Sequence, residues 1–156
     1  IIKQISYGAE VIQLFDTWAG ILKGCDYKQA VYPHTLKLID RVKTELACPL
    51  IYYPGSHYET ICLMMDAPVD VLALDWRYSV GSLLREAPQG LAIQGNLDPT
   101  VLLADEKCIR QRVRDTIKEV SCYPHHKHIF NVGHGLLPPT PPESLMWAID
   151  EIRRIS

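Results

Sequence analysis

Short apolar runs alternate along the chain with longer amphipathic stretches. The runs have the length and residue types of strands buried on both faces, as in parallel sheets. They predict five strands, at Val11–Phe15, Leu50–Tyr53, Val71–Leu74, Leu91–Gly95 and His128–Val132. The stretches after them, where apolar residues recur at helical spacing, predict helices at about Tyr27–Leu46, Tyr58–Met65, Val80–Arg85, Glu106–Val120 and Pro142–Ile155. Strict alternation of this kind is typical of βαβ units with right-handed crossovers.

Helix boundaries are indicated by proline and by small polar residues. Pro33 lies inside the first amphipathic stretch and marks either a break or a first helical turn. Asp105 is the expected N-cap of the helix that begins at Glu106. Thr140 or Ser144 is the expected cap of the last helix. Two architectures fit this order of elements, an open doubly wound sheet or part of a (β/α)8 barrel, and periodicity alone does not separate them.

The segments that directly follow the predicted strands are the candidates for a site. In both architectures ligands bind at the carboxyl ends of the strands. In all five cases the segment is polar, aromatic or glycine-containing: Asp16–Gly20, Pro54–His57, Asp75–Arg77, Gln94–Pro99 and Asn131–Gly135. Core packing and solubility do not require this coincidence, so it favours an active-site rim formed by these five segments.

Taken singly, most rim residues also have an ordinary structural interpretation. Asp16 and Asp98 suit loop caps, and Asn96 suits a turn. His134 differs, because the glycines on both sides of it let the backbone approach closely and present the imidazole to a pocket. An imidazole placed there can donate to a carboxylate or carry a proton.

Composition excludes several classes of function. The 156 residues are 47% hydrophobic and 22% charged, which is the profile of a globular protein. A formal net charge of −2 gives no reason to expect nucleic acid or an anionic membrane as a partner. No run is long and apolar enough to cross a membrane. The N-terminus has neither an initiator methionine nor the layout of a signal peptide, so we expect that the sequence begins inside a longer protein or was cut.

Neither a metal nor a cofactor is indicated. The five cysteines are scattered, odd in number and without a C-x-x-C pair, which predicts reduced thiols in a cytosolic protein. The histidine-rich segment His125–His128 resembles a metal site, but adjacent side chains diverge, and we expect a solvated loop there. No H-E-x-x-H, P-loop, G-x-G-x-x-G or G-x-S-x-G motif is present. We therefore predict no metal site.

Four rim motifs together resemble the uroporphyrinogen decarboxylase family. They are F-D-T-W-A-G at 15–20, L-D-W at 74–76, Q-G-N-L-D-P at 94–99 and N-V-G-H-G-L-L-P-P-T-P-P-E at 131–143. The motifs occur in the family's order and at similar spacing. The resemblance implies a (β/α)8 barrel in which the five strands here are the fourth to the eighth. Since a full barrel needs about 250 residues, residues 1–156 would be the C-terminal portion, without the N-terminal part.

The resemblance also implies a function and residue roles. The family converts uroporphyrinogen III to coproporphyrinogen III by decarboxylating its four acetate side chains, without a cofactor. By this resemblance Thr17 and His134 each hydrogen-bond a substrate carboxylate. Further motif positions would form or support the rim: Asp75, Trp76, Asn96 and Asp98. No catalytic residue is assigned, because the family's arginine-rich loop and its pyrrole-facing aspartate have no counterpart here. The chain alone is therefore expected to be inactive.

Partners and location follow from the same resemblance. The implied partners are uroporphyrinogen and a second copy in a homodimer, and the implied location is the cytoplasm, or a plastid in a plant or alga. Two alternatives stay open. One is an inactive fragment or pseudoenzyme with a role in assembly. The other is a related corrinoid-linked methyltransferase, which would bind zinc and is expected to carry a cysteine where this chain has His134.

Overall fold

The computed structural model describes residues 1–155 and is built around one parallel sheet of five strands. The strands pair in chain order: β1 (Ile12–Phe15), β2 (Leu50–Tyr53), β3 (Val71–Ala73), β4 (Ala92–Leu97) and β5 (His128–Val132). The helices are α1 (Ile2–Ser6), α2 (Gly24–Ala30), α3 (Tyr32–Leu46), α4 (Tyr58–Met65), α5 (Val80–Glu86), α6 (Glu106–Ser121) and α7 (Pro142–Ile155). Every neighbouring pair of strands is parallel, which confirms the predicted sheet.

The predicted boundaries differ from the observed ones in a few places. The first amphipathic stretch is two helices that meet at Val31, and Pro33 lies in the first turn of α3, where its missing N–H costs no helical hydrogen bond. Strand β4 extends two residues further than predicted, to Leu97. Helix α1 and two short 3₁₀ helices, Thr17–Ile21 and Pro99–Leu103, were not predicted, because elements of five residues are too short to show a period.

The predicted caps have mixed outcomes. The Asp105 side chain accepts a hydrogen bond from the Cys108 backbone N–H at 2.8 Å, so it is the N-cap of α6. The predicted cap of α7 was wrong. The hydroxyls of Thr140 and Ser144 are buried and make no hydrogen bond within the described residues. The helix begins instead at Pro142, whose fixed φ suits a first helical position.

Replacing Asp105 with alanine should lower the free energy of unfolding by about 1 kcal/mol, within the usual range for a lost N-cap. The carboxylate satisfies a backbone N–H that has no partner inside the helix. Urea unfolding of the variant, compared with Asp105→Asn, which keeps a capping oxygen, measures the effect. An equal loss in both variants would contradict this assignment.

The two faces of the sheet show that it is an arc of a barrel. The outward side chains pack against the helices in two clusters, one that includes Leu50, Leu72 and Ile93 and one that includes Leu97. The inward side chains form a separate cluster drawn from strands alone: Ile51, Tyr53, Val71, Ala73 and Ala92. In a doubly wound sheet helices would cover both faces, and the strand order would reverse at a switch point. Neither feature occurs among the described residues.

The curvature of the sheet brings non-adjacent strands into contact across the concave face. The Gln94 amide of β4 donates to the Gln13 side-chain oxygen of β1 at 3.4 Å, although two strands separate β1 from β4. Within residues 1–155, β1 and β5 pair on one side only. Phe15 on β1 is 70% exposed and Ile129 on β5 is 43% exposed, although both face the concave side. The fold is therefore a parallel α/β arc with two open edges.

A helix able to span a bilayer, judged by length and apolar character, does not occur within residues 1–155.

Candidate functional site

A cavity of about 280 Å³ opens on the concave face, at the carboxyl ends of the strands. Its walls come from all five strands and from the segments that follow β1 and β5. The lining residues include Gln13, Phe15, Thr17, Tyr53, Gln94 and His134. Thr17 and His134 thus share one cavity, although they follow the two strands at opposite ends of the sheet. Both residues are exposed, so their polar groups are free to meet a ligand.

The backbone around Thr17 is held by its neighbours on β2. The Asp16 N–H donates to the Tyr53 carbonyl at 2.8 Å, which continues the β1–β2 ladder to the cavity. The Asp16 carboxylate accepts a hydrogen bond from the Tyr52 hydroxyl at 2.8 Å. Tyr52 lies on the outward face of the sheet, so the Asp16 side chain turns towards the helices. The carboxylate therefore anchors the turn from the side opposite to the cavity.

Two glycines let the loops after β1 and β2 touch backbone to backbone. A Cβ at Gly55 would lie 2.8 Å from the Gly20 nitrogen and 3.2 Å from the Asp16 carbonyl oxygen. The φ angle of Gly55 is +78°, in the region that favours glycine. This contact packs the Thr17–Ile21 3₁₀ helix against the loop after β2 and fixes one wall of the cavity.

His134 is presented by a loop that packs on Trp76. The Gly133 N–H donates to the Leu97 carbonyl at 2.8 Å. A Cβ at Gly133 would lie 2.5 Å from the Trp76 nitrogen, so only glycine allows this approach. The ring of His134 meets the ring of Trp76 edge to face, with the centroids 5.5 Å apart and the planes at 80°. The tryptophan after β3 and the histidine after β5 are therefore in direct contact at the rim.

Asp75 is fully buried behind the cavity wall and accepts several hydrogen bonds. One carboxylate oxygen accepts from the Arg77 backbone N–H at 2.9 Å, and the other from the Arg77 guanidinium at 2.5 Å. The Tyr53 hydroxyl donates to the second oxygen at 3.4 Å. The Arg77 guanidinium also lies over the Trp76 ring, 3.9 Å from its centroid. Asp75 thus holds residues on both sides of the rim without entering the cavity.

The other two predicted rim residues are structural in their contacts. The Asn96 amide is buried and donates to the carbonyls of Asp75, at 3.1 Å, and Tyr78, at 2.6 Å. It therefore ties β4 to the loop after β3. Asp98 accepts from the backbone N–H and the hydroxyl of Thr100, at 2.8 and 2.7 Å, and caps the second 3₁₀ helix. Neither residue lines the cavity that Thr17 and His134 share.

The sequence did not single out Gln13 and Tyr53, which line the cavity from within the strands together with Gln94, the first residue of a predicted rim segment. Their signal was a polar atom inside an apolar run, at a position that alternates with core residues. Burial, followed by the neighbouring Asp75 carboxylate, raises the pKa of Tyr53 to about 12. Its hydroxyl therefore stays protonated and is a neutral donor. Gln13 and Gln94 add uncharged donors and acceptors, which suits a ligand with several polar groups.

The histidine-rich segment is only partly the solvated loop that was expected. His125 is exposed, but His128 is half-buried as the first residue of β5, and its Nε2 lies 2.5 Å from the Gly95 carbonyl oxygen. Burial lowers the pKa of His128. Within residues 1–155, no three histidine, cysteine, aspartate or glutamate side chains are grouped to hold a metal ion. All five cysteines are unpaired.

The curled parallel sheet, with helices outside and a polar cavity at the carboxyl edge, defines a (β/α)8-barrel type of protein of which this chain forms part. Comparison with models of protein families identifies the family within this fold type. The family model for uroporphyrinogen decarboxylase (URO-D) matches residues 1–155, and the chain belongs to that family.

Curated relatives cover the chain almost completely. The uroporphyrinogen decarboxylase of Trichlorobacter lovleyi is 39% identical over 153 residues, which is 98% of this chain and 44% of the relative. That of Geobacter sulfurreducens is 40% identical over 156 residues, with the same coverage of each. The chain therefore spans less than half the length of these relatives.

Among solved structures, a methyltransferase from Methanosarcina mazei superposes with a TM-score of 0.81. The two sequences are 15% identical, and the superposition covers 97% of this chain and 44% of the other. At this identity the likeness concerns the fold alone.

Proposed function

We propose that this chain provides the C-terminal five βα units of a uroporphyrinogen decarboxylase barrel and one wall of its substrate site. The complete protein would remove the carboxyl groups of the four acetate side chains of uroporphyrinogen III to give coproporphyrinogen III. The observation that carries the proposal is the shared cavity of Thr17 and His134, two residues that lie 117 positions apart (134 − 17) in motifs resembling those of the family.

The decarboxylation requires few chemical groups from the cavity wall that this chain forms. An electron-rich pyrrole can be protonated on carbon, and the resulting cation accepts the electron pair released when CO2 leaves. The substrate thus provides its own electron sink, and no cofactor is required. The protein needs donors for the carboxylates, which the Thr17 hydroxyl and the His134 ring supply. Trp76 contacts the His134 ring, while Asp75, Asn96 and Asp98 support the segments that follow β3 and β4.

The cavity wall formed by residues 1–155 carries no side chain with a permanent charge. Its lining residues include no lysine, arginine, aspartate or glutamate. The charges that neutralise the acetates and hold the pyrrole cation would therefore come from segments other than this wall. That supports the expectation that the 156-residue chain alone is inactive. The alternative function to test is a role in assembly for an isolated, inactive fragment.

Other properties of the complete protein stay predictions. A homodimer and a cytoplasmic location are expected from the resemblance, and sedimentation of the complete protein tests the first. The methyltransferase alternative predicts bound zinc and a corrinoid partner. Elemental analysis of purified protein separates it from the decarboxylase, which we expect to be active without a metal.

Titration with uroporphyrin, the stable oxidised form of the substrate, tests the proposed wall. We expect the chain to bind it weakly, and His134→Asn or Thr17→Val to weaken binding about five- to tenfold, the loss usual for one hydrogen bond. His125→Asn is the matched control, because His125 is an exposed histidine at the other end of β5. Equal losses in His125→Asn and His134→Asn, with both proteins folded, would contradict the proposal.

A further inference from the structure

Arg77 makes contacts that the roles assigned so far do not use. It follows the L-D-W motif and lies outside the cavity lining. Its side chain is half exposed, yet both ends of the residue are tied to one buried carboxylate: Asp75 accepts from the Arg77 backbone N–H at 2.9 Å and from its guanidinium at 2.5 Å. The guanidinium is therefore folded back over Trp76, the residue between Asp75 and Arg77 in sequence.

The folded-back guanidinium stacks on Trp76, and Trp76 contacts His134. The Arg77 Cζ lies 3.9 Å from the centroid of the Trp76 ring, the distance of a cation–π contact. The edge-to-face contact with His134 is made by the same indole, at 5.5 Å between centroids. The described residues thus form a chain of contacts that starts at a fully buried carboxylate and ends at the cavity.

We propose that Arg77 is a positioning residue, which fixes the Trp76 ring and, through it, the orientation of the His134 ring in the cavity. The proposal rests on the proposed function only for the role of His134 in binding. A planar guanidinium is needed, because it can stack on the indole and donate to Asp75 at the same time. A lysine at this position would keep the positive charge beside Asp75 but would lose the planar stack.

This distinction separates positioning from a merely structural role. If Arg77 served only to neutralise the buried Asp75, lysine would replace it at little cost to the cavity. If it positions the Trp76 ring, Arg77→Lys should leave the protein folded and still change the environment of His134. On its C-terminal side the His134 backbone has little restraint of its own, because a Cβ at Gly135 would meet nothing within 4 Å.

Two readouts on the 156-residue chain test the proposal. The first is the ring NMR signals of His134, assigned by their loss in His134→Asn. We expect Arg77→Lys to shift and broaden them, whereas Arg85→Lys, at an exposed arginine of α5, leaves them unchanged. The second is uroporphyrin binding, which Arg77→Lys should weaken about two- to fivefold, the worth of an exposed cation–π contact. In a His134→Asn background the same substitution should have almost no effect.

The outcomes are distinguishable. Unchanged His134 signals in a folded Arg77→Lys variant, or the same loss of binding with and without His134, would overturn the positioning role. If Arg77→Lys shifts the His134 signals but the unsubstituted chain does not bind uroporphyrin, the positioning role is upheld and the proposed function is contradicted. Trp76→Phe tests the ring contact from the other side, and it decides the matter if Arg77→Lys does not fold. It should move the same signals, and unmoved signals would contradict the proposal.

Discussion

Gly133→Ala should lower the free energy of unfolding by about 1–3 kcal/mol, the usual effect of overpacking, and should weaken uroporphyrin binding about tenfold or more. The added Cβ would lie 2.5 Å from the nitrogen, 2.9 Å from the Cβ and 3.0 Å from the Cα of Trp76. These atoms are backbone or fixed to it, so they cannot swing aside. The loop has to retreat, and its hydrogen bond to the Leu97 carbonyl and the ring contact of His134 are lost with it.

Gly135→Ala is the control for this substitution. It adds the same methyl group two positions further on in the same loop, where nothing lies within 4 Å of it. Urea unfolding of both variants should therefore show a large loss of stability for position 133 and a small one for position 135. Similar results for the two alanines would mean that the loop does not pack on Trp76 as described.

Among substitutions of the charged residues of helix α7, Glu151→Gln should lower the stability of the protein most. Glu151 is 4% exposed, and its carboxylate accepts from Arg114 at 2.6 Å and from Arg110 at 3.2 Å, both on α6. The glutamine amide keeps the shape of the Glu151 side chain, but the guanidinium groups of Arg110 and Arg114 then face a neutral group in a poorly hydrated contact. We expect the melting temperature to fall by several degrees. Glu45→Gln, which breaks an exposed pair with Arg41, should have a much smaller effect.

The same carboxylate should make stability depend on pH in the acid range. Hydrogen bonding from Arg114, joined by that from Arg110 and opposed by burial, lowers the pKa of Glu151 in the folded state. The folded state therefore binds fewer protons than the unfolded state, and the stabilisation is present above the unfolded pKa of about 4.3. It is lost as pH falls through the folded pKa. Chemical unfolding between pH 7 and pH 3 should show a shallower acid decline for Glu151→Gln, and parallel curves would contradict this.

Local patterns in the sequence were enough to predict the strands and the longer helices. Leu50–Tyr53 and Tyr58–Met65 have the predicted boundaries, because an apolar run and a helical period each extend over several residues there. Periodicity could not separate a barrel from a doubly wound sheet, because strands buried on both faces have the same continuous apolar sequence in both architectures. The distinction depends on which side the helices pack, and Ile51 and Val71 face a cluster without helices only because the sheet curls.

The site was predictable in its location but not in its support. The rim motifs indicated Thr17 and His134, and both residues line the cavity. The contacts behind them are products of tertiary packing. Asp75 accepts from Tyr53, which lies 22 positions away, and Gln13 meets Gln94 across two strands, although 81 positions separate these glutamines in sequence. No local pattern encodes such pairs, so the sequence indicated Asn96 and Asp98 as residues that form or support the rim but did not indicate the groups that they contact.

Coproporphyrinogen formation, measured for the isolated chain and for a chimaera, tests most directly whether this chain is one part of a decarboxylase site. In the chimaera the chain replaces the matching 44% of the Geobacter sulfurreducens relative. We predict product from the chimaera, a strong decrease with His134→Asn, and none from the isolated chain. A monomeric isolated chain that forms product as fast as the chimaera, or a folded chimaera that forms none, would contradict that assignment.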